Sequence, residues 1–177
     1  YIHQRISEGE HQQQDFKFEI SDSKKIARTL AAFANTDGGR LLVGVKDNGA
    51  IAGVRSEEEY FMIEGAAGMY CKPEVPFTSK EYVVDGKKVL EIKVKPGKDK
   101  PYKAPDKDDR WKAFVRVEDQ NLLANRVIIE VWKLIKQEQE ITVMYTEAEE
   151  TLLKYLESNP GITARTFQKL AAISLAK

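Results

Sequence analysis

Glycine is concentrated in the segment AFANTDGGRLLVGVKDNGAIAGV, Ala32 to Val54, where it could cradle a phosphate group or shape turns. A phosphate-binding P-loop needs the pattern Gly-x-x-x-x-Gly-Lys-Ser/Thr between a strand and a helix. This segment predicts a helix, then Gly38-Gly39, then a strand, and it lacks the Gly-Lys-Ser/Thr element. The Asp-x-Gly-x-Gly box of histidine-kinase-type ATPases is also incomplete, because Ala50 and Ile51 follow the Asp-Asn-Gly turn. We therefore interpret the glycines as turn-makers.

A second candidate site is the run from Lys95 to Lys112, which contains seven basic and four acidic residues. Two aromatic residues, Tyr102 and Trp111, lie among its cations. This pattern is typical of surfaces that neutralise phosphates and stack on bases. We predict nucleic-acid contacts from Lys98, Lys100, Tyr102, Lys103, Lys107 and Arg110. The alternative is a solvated loop in which these cations pair with the acidic residues Asp99, Asp106, Asp108 and Asp109.

The composition is that of an ordinary protein with a charged surface, and it excludes several kinds of site. The 177 residues include 28 basic and 28 acidic side chains, one cysteine and two histidines. A single cysteine, Cys71, excludes an internal disulfide, and these counts also exclude a cysteine-based or His-rich metal site. Because the formal net charge is zero, local patches must supply any attraction for nucleic acid. No apolar run approaches the ~20 residues of a membrane helix and no signal peptide is evident, so we expect a cytoplasmic protein with no membrane partner.

The spacing of apolar residues predicts a mixed α+β domain. DFKFEI alternates as a half-buried strand with Asp15 and Lys17 on its polar face, and Ser-Asp-Ser then caps a helix that ends at the double glycine. RLLVGV is predicted as a buried strand that turns at Asp-Asn-Gly into AIAGV. Ser56 and Glu59 have the spacing of a capping box for a helix that reaches about Met69.

Further elements follow in the same domain. A hairpin turns at Asp85-Gly86, a polar loop covers residues 96–110, and KAFVRV is the next strand. An amphipathic helix comes after it, with its apolar stripe at Val127, Val131, Leu134 and Ile135.

The C-terminal segment predicts the beginning of a helix-turn-helix. Thr146 and Glu149 form a capping box, an Asn-Pro-Gly turn ends the first helix, and Thr163 caps the second. The third, groove-reading helix would begin near Ser174. We predict phosphate contacts from Arg165 and Lys169; a protein-interaction role is the alternative, because acids and bases are balanced in this segment.

The order of these motifs resembles the Schlafen-type AlbA family, also called divergent AAA in bacterial regulators. The resemblance covers about Gly9 to Gln137 and is carried by four motifs. These are an acidic residue and DFK near the start, the helix end AFANTDGG, the stretch LLVGVKDNGAIAGV and the later strand FVRV. It implies an α+β fold whose sheet and loops face nucleic acid, followed by a winged helix-turn-helix. We predict phosphate contacts in this region from Lys17, Arg40 and Arg116. The alternative for Lys17 is a charge partner of the nearby acidic residues, and the alternative for Arg40 is an ordinary surface arginine. Val117-Glu118-Asp119 stands where the family continues with Gly-Ser after Arg116, which weakens a phosphate contact there.

The resemblance also implies a possible metal site. In animal Schlafen proteins, three carboxylates form a metal-dependent RNA-cleaving site, and by motif they correspond to Glu10, Asp15 and Asp47. Clustered carboxylates hold Mg²⁺ or Mn²⁺, which activates water and stabilises charge on phosphate oxygens. Two observations weaken the match: Asp15 stands where the family prefers glutamate, and Asp47 lies in a turn, where aspartate is common for backbone reasons alone. The alternative is that the three carboxylates are solvated structural acids.

The predictions therefore divide the chain into an α+β Schlafen AlbA domain over 1–138, a linker over 139–145 and a partial winged helix-turn-helix over 146–177. The expected function is binding of DNA or RNA, with DNA favoured, by a bacterial transcriptional regulator that is part of a longer protein and forms a possible homodimer. Binding requires no cofactor. The first alternative is a metal-dependent endoribonuclease that uses Mg²⁺ or Mn²⁺, and the second is a nucleotide-sensing or oligomerising module.

Overall fold

A computed structural model of the protein describes residues 1–136 and 145–173. These residues form six helices and seven strands: α1 (Ile2–Glu8), β1 (Gln14–Lys17), α2 (Ser23–Asn35), β2 (Gly39–Val43), α3 (Glu58–Met69), β3 (Phe77–Val84), β4 (Lys87–Val94), β5 (Lys103–Pro105), β6 (Trp111–Val117), β7 (Gln120–Leu123), α4 (Arg126–Lys136), α5 (Glu147–Ser158) and α6 (Ala164–Leu170). The chain divides into two compact units, Tyr1–Gln139 and Glu140–Lys177. No helix within the described ranges is both long and apolar enough to span a membrane.

The first unit is an α+β domain with two sheets. The larger sheet has the strand order β1-β2-β4-β3, in which β1 and β2 are parallel and the other neighbours are antiparallel. The parallel pair is joined through α2, as a parallel connection requires a crossover. The smaller sheet has the order β5-β6-β7 and is antiparallel. The predicted α+β class with a mixed sheet is confirmed.

Helix α2 lies at the centre of the domain, and nine of its 13 residues are buried. Its N-cap is Asp22, whose carboxylate accepts hydrogen bonds from the N–H groups of Lys24 and Lys25, as the Ser-Asp-Ser motif predicts. Leu30 and Phe33 pack in one cluster with residues of β2, β4 and α3, and this cluster also includes Phe114 of β6. The helix therefore contacts both sheets.

The other face of the larger sheet is covered by α1, a helix that the sequence did not predict. Ile2 of α1 is buried in a second cluster with Phe16, Leu42, Val45 and Val89. The strand β2 separates the two apolar clusters, because Leu41 and Val43 belong to the first cluster and Leu42 to the second.

The double glycine allows α2 to turn sharply into β2. Gly38 has φ +73°, and a Cβ there would lie 2.6 Å from the carbonyl oxygen of Val94. A Cβ on Gly39 would lie 2.5 Å from the ring of Phe33. The interpretation of these glycines as turn-makers is confirmed, because both the conformation and the close approach exclude a side chain.

Several predicted elements differ in extent. The strand predicted over DFKFEI ends at Lys17, and the Asp-Asn-Gly turn closes a single bridge between Val45 and Ile51 instead of a full hairpin. The predicted capping box of α3 is wrong, because Glu57 is the N-cap and the Glu59 carboxylate accepts from the Arg55 N–H. The predicted polar loop contains β5, and β7 was not predicted.

The amphipathic helix α4 buries a different side from the one the sequence predicts. Val127 and Ile135 are 73% and 62% exposed, whereas Trp132 is 8% exposed. The predicted apolar stripe is therefore largely on the surface of the described part of the chain.

The second unit contains α5 and α6 with the predicted caps. Thr146 and Glu149 form a complete capping box, and the Thr163 hydroxyl accepts from the Thr166 N–H. Two predicted segments lie outside the described residues. They are the third helix near Ser174 and the linker over 139–145, of which only Tyr145 is described.

A buried asparagine ties α2 to the smaller sheet. The Asn35 Nδ2 donates to the carbonyl oxygens of Tyr102 and Phe114 at 2.7 and 2.8 Å, and its Oδ1 accepts from the Tyr102 N–H at 2.8 Å. Three backbone groups therefore depend on one side chain that is 3% exposed.

Replacing Asn35 with alanine should lower the free energy of unfolding by roughly 2–4 kcal/mol, because it leaves three buried backbone groups without partners. Urea unfolding followed by tryptophan fluorescence measures the change. The control is Asn48→Ala in an exposed turn, where water can replace the missing hydrogen bond and the expected decrease is under about 1 kcal/mol. Equal decreases in the two variants would contradict the role given to Asn35.

Candidate nucleic-acid interface

The strand β1 places Asp15 in the interior, although the alternating pattern predicts it on a polar face. Asp15 pairs with Leu41 of β2 and faces α2, and it is 4% exposed. Its Oδ1 accepts from the Arg116 Nη2 at 3.0 Å, and its Oδ2 lies 2.7 Å from the Lys17 Nζ. One carboxylate thus meets two cations.

Arg116 of β6 is also buried, at 2% exposed. Besides Asp15, its guanidinium donates to the Gln14 carbonyl oxygen and to the Asn121 Oδ1, both at 3.2 Å, and it lies 5.4 Å from the centroid of the Phe33 ring. This burial argues against the predicted phosphate contact of Arg116, because both terminal nitrogens donate inside the protein and only the buried Nε has no partner. The same contacts show that Lys17 is a charge partner of Asp15.

The predicted three-carboxylate metal site does not assemble. The Glu10 Oε1 accepts from the Phe16 N–H at 2.9 Å, and burial together with the nearby Asp15 charge raises the pKa of Glu10. Asp47 is exposed in its turn. Within residues 1–136 and 145–173, no three His, Cys, Asp or Glu side chains are placed to hold one metal ion. Glu10 and Asp15 are therefore close to each other, but Asp47 does not complete a metal or catalytic site with them.

A groove of about 660 Å³ lies above the Asp15–Arg116 pair, and we call it the basic groove. It is bounded by α2, by the loop before β6 and by the β6–β7 turn. Its cations are Lys17, Lys25, Arg28, Lys107, Arg110 and Arg116, and its acids are Asp15, Asp106, Asp108 and Asp119.

Half of the cations in the basic groove are neutralised by neighbours. Arg110 pairs with Asp106 at 3.1 Å and with Asp108 at 2.6 Å, and the Arg110 and Asp108 N–H groups help to lower the pKa of Asp106. Lys17 and Arg116 share Asp15. For Arg110, the structure therefore shows the alternative to a nucleic-acid contact, which is pairing with acidic residues of the same loop.

The other three cations of the basic groove have no such partner. Lys25, Arg28 and Lys107 form none of the ion pairs found among the described residues. The Arg28 Nε donates to the Pro105 carbonyl oxygen at 2.9 Å, which orients the guanidinium without neutralising it. These three side chains can therefore bind an external anion.

The sequence analysis did not select Lys25 and Arg28. Both lie on α2, three residues apart, so they share one face of the helix. The signal was present in the segment KKIAR, where cations follow the N-cap on the polar side of an amphipathic helix.

The remaining residues of the predicted basic loop are distributed over different environments. Tyr102 is buried at 4% exposed in the main core, so the prediction that it stacks on bases is wrong. The Lys100 Nζ lies 3.4 Å from the Thr36 carbonyl oxygen, and Lys98 is exposed. Lys103 lies beside Trp111, outside the basic groove.

Of the three remaining predicted cations, Arg40 belongs to the first unit and lies outside the basic groove as well. Arg40 is on the sheet, and its Nε lies 3.9 Å from the buried Glu91 carboxylate. Arg165 and Lys169 are exposed on α6, four residues apart and on one face. The structure leaves their predicted phosphate contacts as predictions.

The family model described as "Schlafen, AlbA_2" matches residues 10–125, about two thirds of the chain. No curated protein matches the chain. Among solved structures, the DIP2311 protein from Corynebacterium diphtheriae is 23% identical to this chain, with a TM-score of 0.49. The match covers 84% of this chain and 30% of the DIP2311 chain. The N-terminal domain of a RecG-related protein from Nitrosomonas europaea is 16% identical with a TM-score of 0.40, over 81% of this chain and 92% of its own. The chain thus spans less than a third of the DIP2311 protein.

Replacing Arg116 with methionine should lower the free energy of unfolding by about 3–5 kcal/mol, because it leaves the Asp15 carboxylate buried without its main partner. Urea unfolding measures the decrease. The matched control is Arg110→Met, whose exposed ion pairs contribute at most about 1 kcal/mol. A decrease in Arg116→Met as small as that of the control would contradict a buried, structural Arg116.

Proposed function

The chain belongs to the Schlafen, AlbA_2 family, and from this premise we propose that it binds nucleic acid through the basic groove. The observation that carries the proposal is the set of three cations, Lys25, Arg28 and Lys107, that enter the groove from two segments without a carboxylate partner among the described residues. Phosphate oxygens are the ligands that such a set fits.

The physical basis of binding is neutralisation of phosphate charge. Each Lys or Arg that contacts a phosphate releases counterions from the nucleic acid, so affinity falls steeply as salt rises. Contacts of this kind fix position and carry no sequence information. The basic groove would therefore bind many sequences with similar affinity.

We propose more specifically that the target is DNA and that the protein is a bacterial, cytoplasmic transcriptional regulator. The capped helices α5 and α6 support this, because two short helices joined by a tight turn are how a winged helix-turn-helix begins. Arg165 and Lys169 would then contact phosphate, and sequence recognition would belong to the predicted third helix. A homodimer, which would bind two half-sites, is also part of this proposal.

The double variant Lys25→Ala/Arg28→Ala should weaken binding to duplex DNA and make the salt dependence shallower. Fluorescence anisotropy at several salt concentrations gives the slope of log K against log[salt], which should become less negative by about 0.9 for each phosphate that is no longer neutralised. The control is Lys88→Ala, an exposed lysine of β4 that pairs with Glu81 and does not line the basic groove. Equal slopes in the double variant and the control would contradict the proposed groove.

The competing ribonuclease hypothesis is tested on the unaltered protein with tRNA, with and without Mn²⁺. We expect a shift in a native gel and no Mn²⁺-dependent cleavage, because Asp47 does not join Glu10 and Asp15. Cleavage that is abolished in both Glu10→Gln and Asp47→Ala would contradict the binding proposal and favour the carboxylate site. Cleavage that persists in Asp47→Ala would exclude that site as its source.

A further inference from the structure

A small depression outside the basic groove brings three lysines to one tryptophan. It measures about 330 Å³ and is lined by Lys72, Pro73, Asp99, Pro101, Lys103, Trp111 and Lys136. We call it the Trp111 patch. None of its residues lines the basic groove. Its lysines come from three separate places: the segment before β3, the start of β5, and the end of α4.

The backbone holds two of these lysines directly opposite each other. The Lys72 N–H donates to the Lys103 carbonyl oxygen at 2.9 Å, and the Lys103 N–H donates back to Lys72 at 2.8 Å. Like charges at directly opposed positions destabilise a strand pair. Among the residues that the structure describes, Asp99 is the one carboxylate that lines the patch, against three lysines.

Like-charged side chains brought together in this way point to binding, because proteins depart from local rules mostly at functional positions. Lys72, Lys103 and Lys136 form none of the ion pairs found in the described part of the chain. Their side chains are exposed and can move toward an anion. The patch therefore has an excess of positive charge at a fixed place.

Trp111 gives the patch an aromatic surface. It is 36% exposed, and the Lys72 Nζ lies 4.2 Å from the centroid of its ring. Lys72 covers this ring face in the free protein, so a base that stacks there displaces the ammonium group, which can then contact the adjoining phosphate. Two prolines at the rim, Pro73 and Pro101, add rigid walls.

Taken with the proposed function, on which this inference rests, the geometry points to one nucleotide of a single-stranded nucleic acid as the ligand of the Trp111 patch. The base stacks on Trp111, and the adjoining phosphate lies among Lys72, Lys103 and Lys136. Bases inside a duplex are already stacked on their neighbours and cannot reach the ring, so the patch distinguishes single strands from duplexes.

The sequence neighbour of Trp111 connects the patch to the basic groove. Arg110 lines the groove and Trp111 lines the patch, so two consecutive residues at the start of β6 contribute to the two surfaces. We infer that one single strand contacts both. Binding at two linked places raises affinity for a strand long enough to contact both.

The test titrates the full chain with unlabelled ten-nucleotide oligothymidylate and follows tryptophan emission. Trp111 and the buried Trp132 are the two tryptophans, so a base stacking on the patch should quench the exposed one. We expect quenching by the oligonucleotide, none by a ten-base-pair duplex, and little by thymidine monophosphate at equal nucleotide concentration. Equal quenching by the monophosphate would overturn the strand as the ligand, since a free nucleotide would then suffice.

Two variants locate the binding. Trp111→Leu should abolish the quenching and bind the single strand at least about fivefold more weakly by anisotropy, with duplex affinity unchanged, whereas Trp111→Tyr should retain most of the affinity. Lys72→Ala/Lys103→Ala should make the salt slope for single strands less negative by roughly 0.7 for each phosphate that is no longer neutralised. Lys88→Ala again serves as the control that removes one exposed charge elsewhere.

The outcomes separate this inference from the proposed function. If both patch variants bind the single strand as Lys88→Ala does while Lys25→Ala/Arg28→Ala binds more weakly, the inference is overturned and the basic groove stands. If the unaltered protein binds duplex DNA and does not bind the single strand, the inference is likewise overturned and the basic groove stands. If the unaltered protein binds neither duplex nor single strand at low salt, the proposed function fails and the inference fails with it.

Discussion

The ion pair between Asp15 and Arg116 is the contact on which the arrangement of the first unit depends. It joins β1 of the larger sheet to β6 of the smaller sheet across 101 residues of sequence, and both side chains are almost completely buried. A buried pair gains stability only when further hydrogen bonds satisfy the remaining donors and acceptors. Arg116 meets this condition in part: its terminal nitrogens donate to Gln14 and Asn121 and its guanidinium lies by the Phe33 ring, whereas its Nε has no hydrogen-bond partner. The two sheets are thereby held around α2, and the pair forms the floor of the basic groove.

This ion pair also decides what chemistry the groove can perform. A carboxylate that faces a guanidinium and an ammonium group has few lone pairs left for a metal ion, and Asp47, which the family resemblance assigns to the same site, is exposed elsewhere. The pair neutralises itself, so the available charge of the groove comes from Lys25, Arg28 and Lys107 at its walls. A chain with no net charge can in this way present a local anion-binding surface.

The parts of the fold that follow from local chemistry could be predicted from the sequence. Three such features each depend on a few neighbouring residues. They are the helix cap at Asp22, the turn at Gly38-Gly39 and the hairpin that closes at Asp85-Gly86. The errors concern residues whose surroundings are set by distant segments. Alternation in DFKFEI predicts an exposed Asp15, because nothing within the strand reveals a partner 101 residues away. Tyr102 is buried for a similar reason: its backbone is fixed by Asn35, on a helix 67 residues earlier.

Under the proposed function, duplex DNA contacts the basic groove and neither the Trp111 patch nor another charged surface. A ¹H–¹⁵N chemical-shift titration of the unaltered protein with a short DNA duplex at low salt measures this directly, because each backbone N–H reports its own surroundings. The largest shifts should fall on Lys25, Arg28 and Lys107 and their neighbours, while Lys88 and the α3 signals stay in place. Shifts confined to α3 and β4, or no shifts at all, would contradict it.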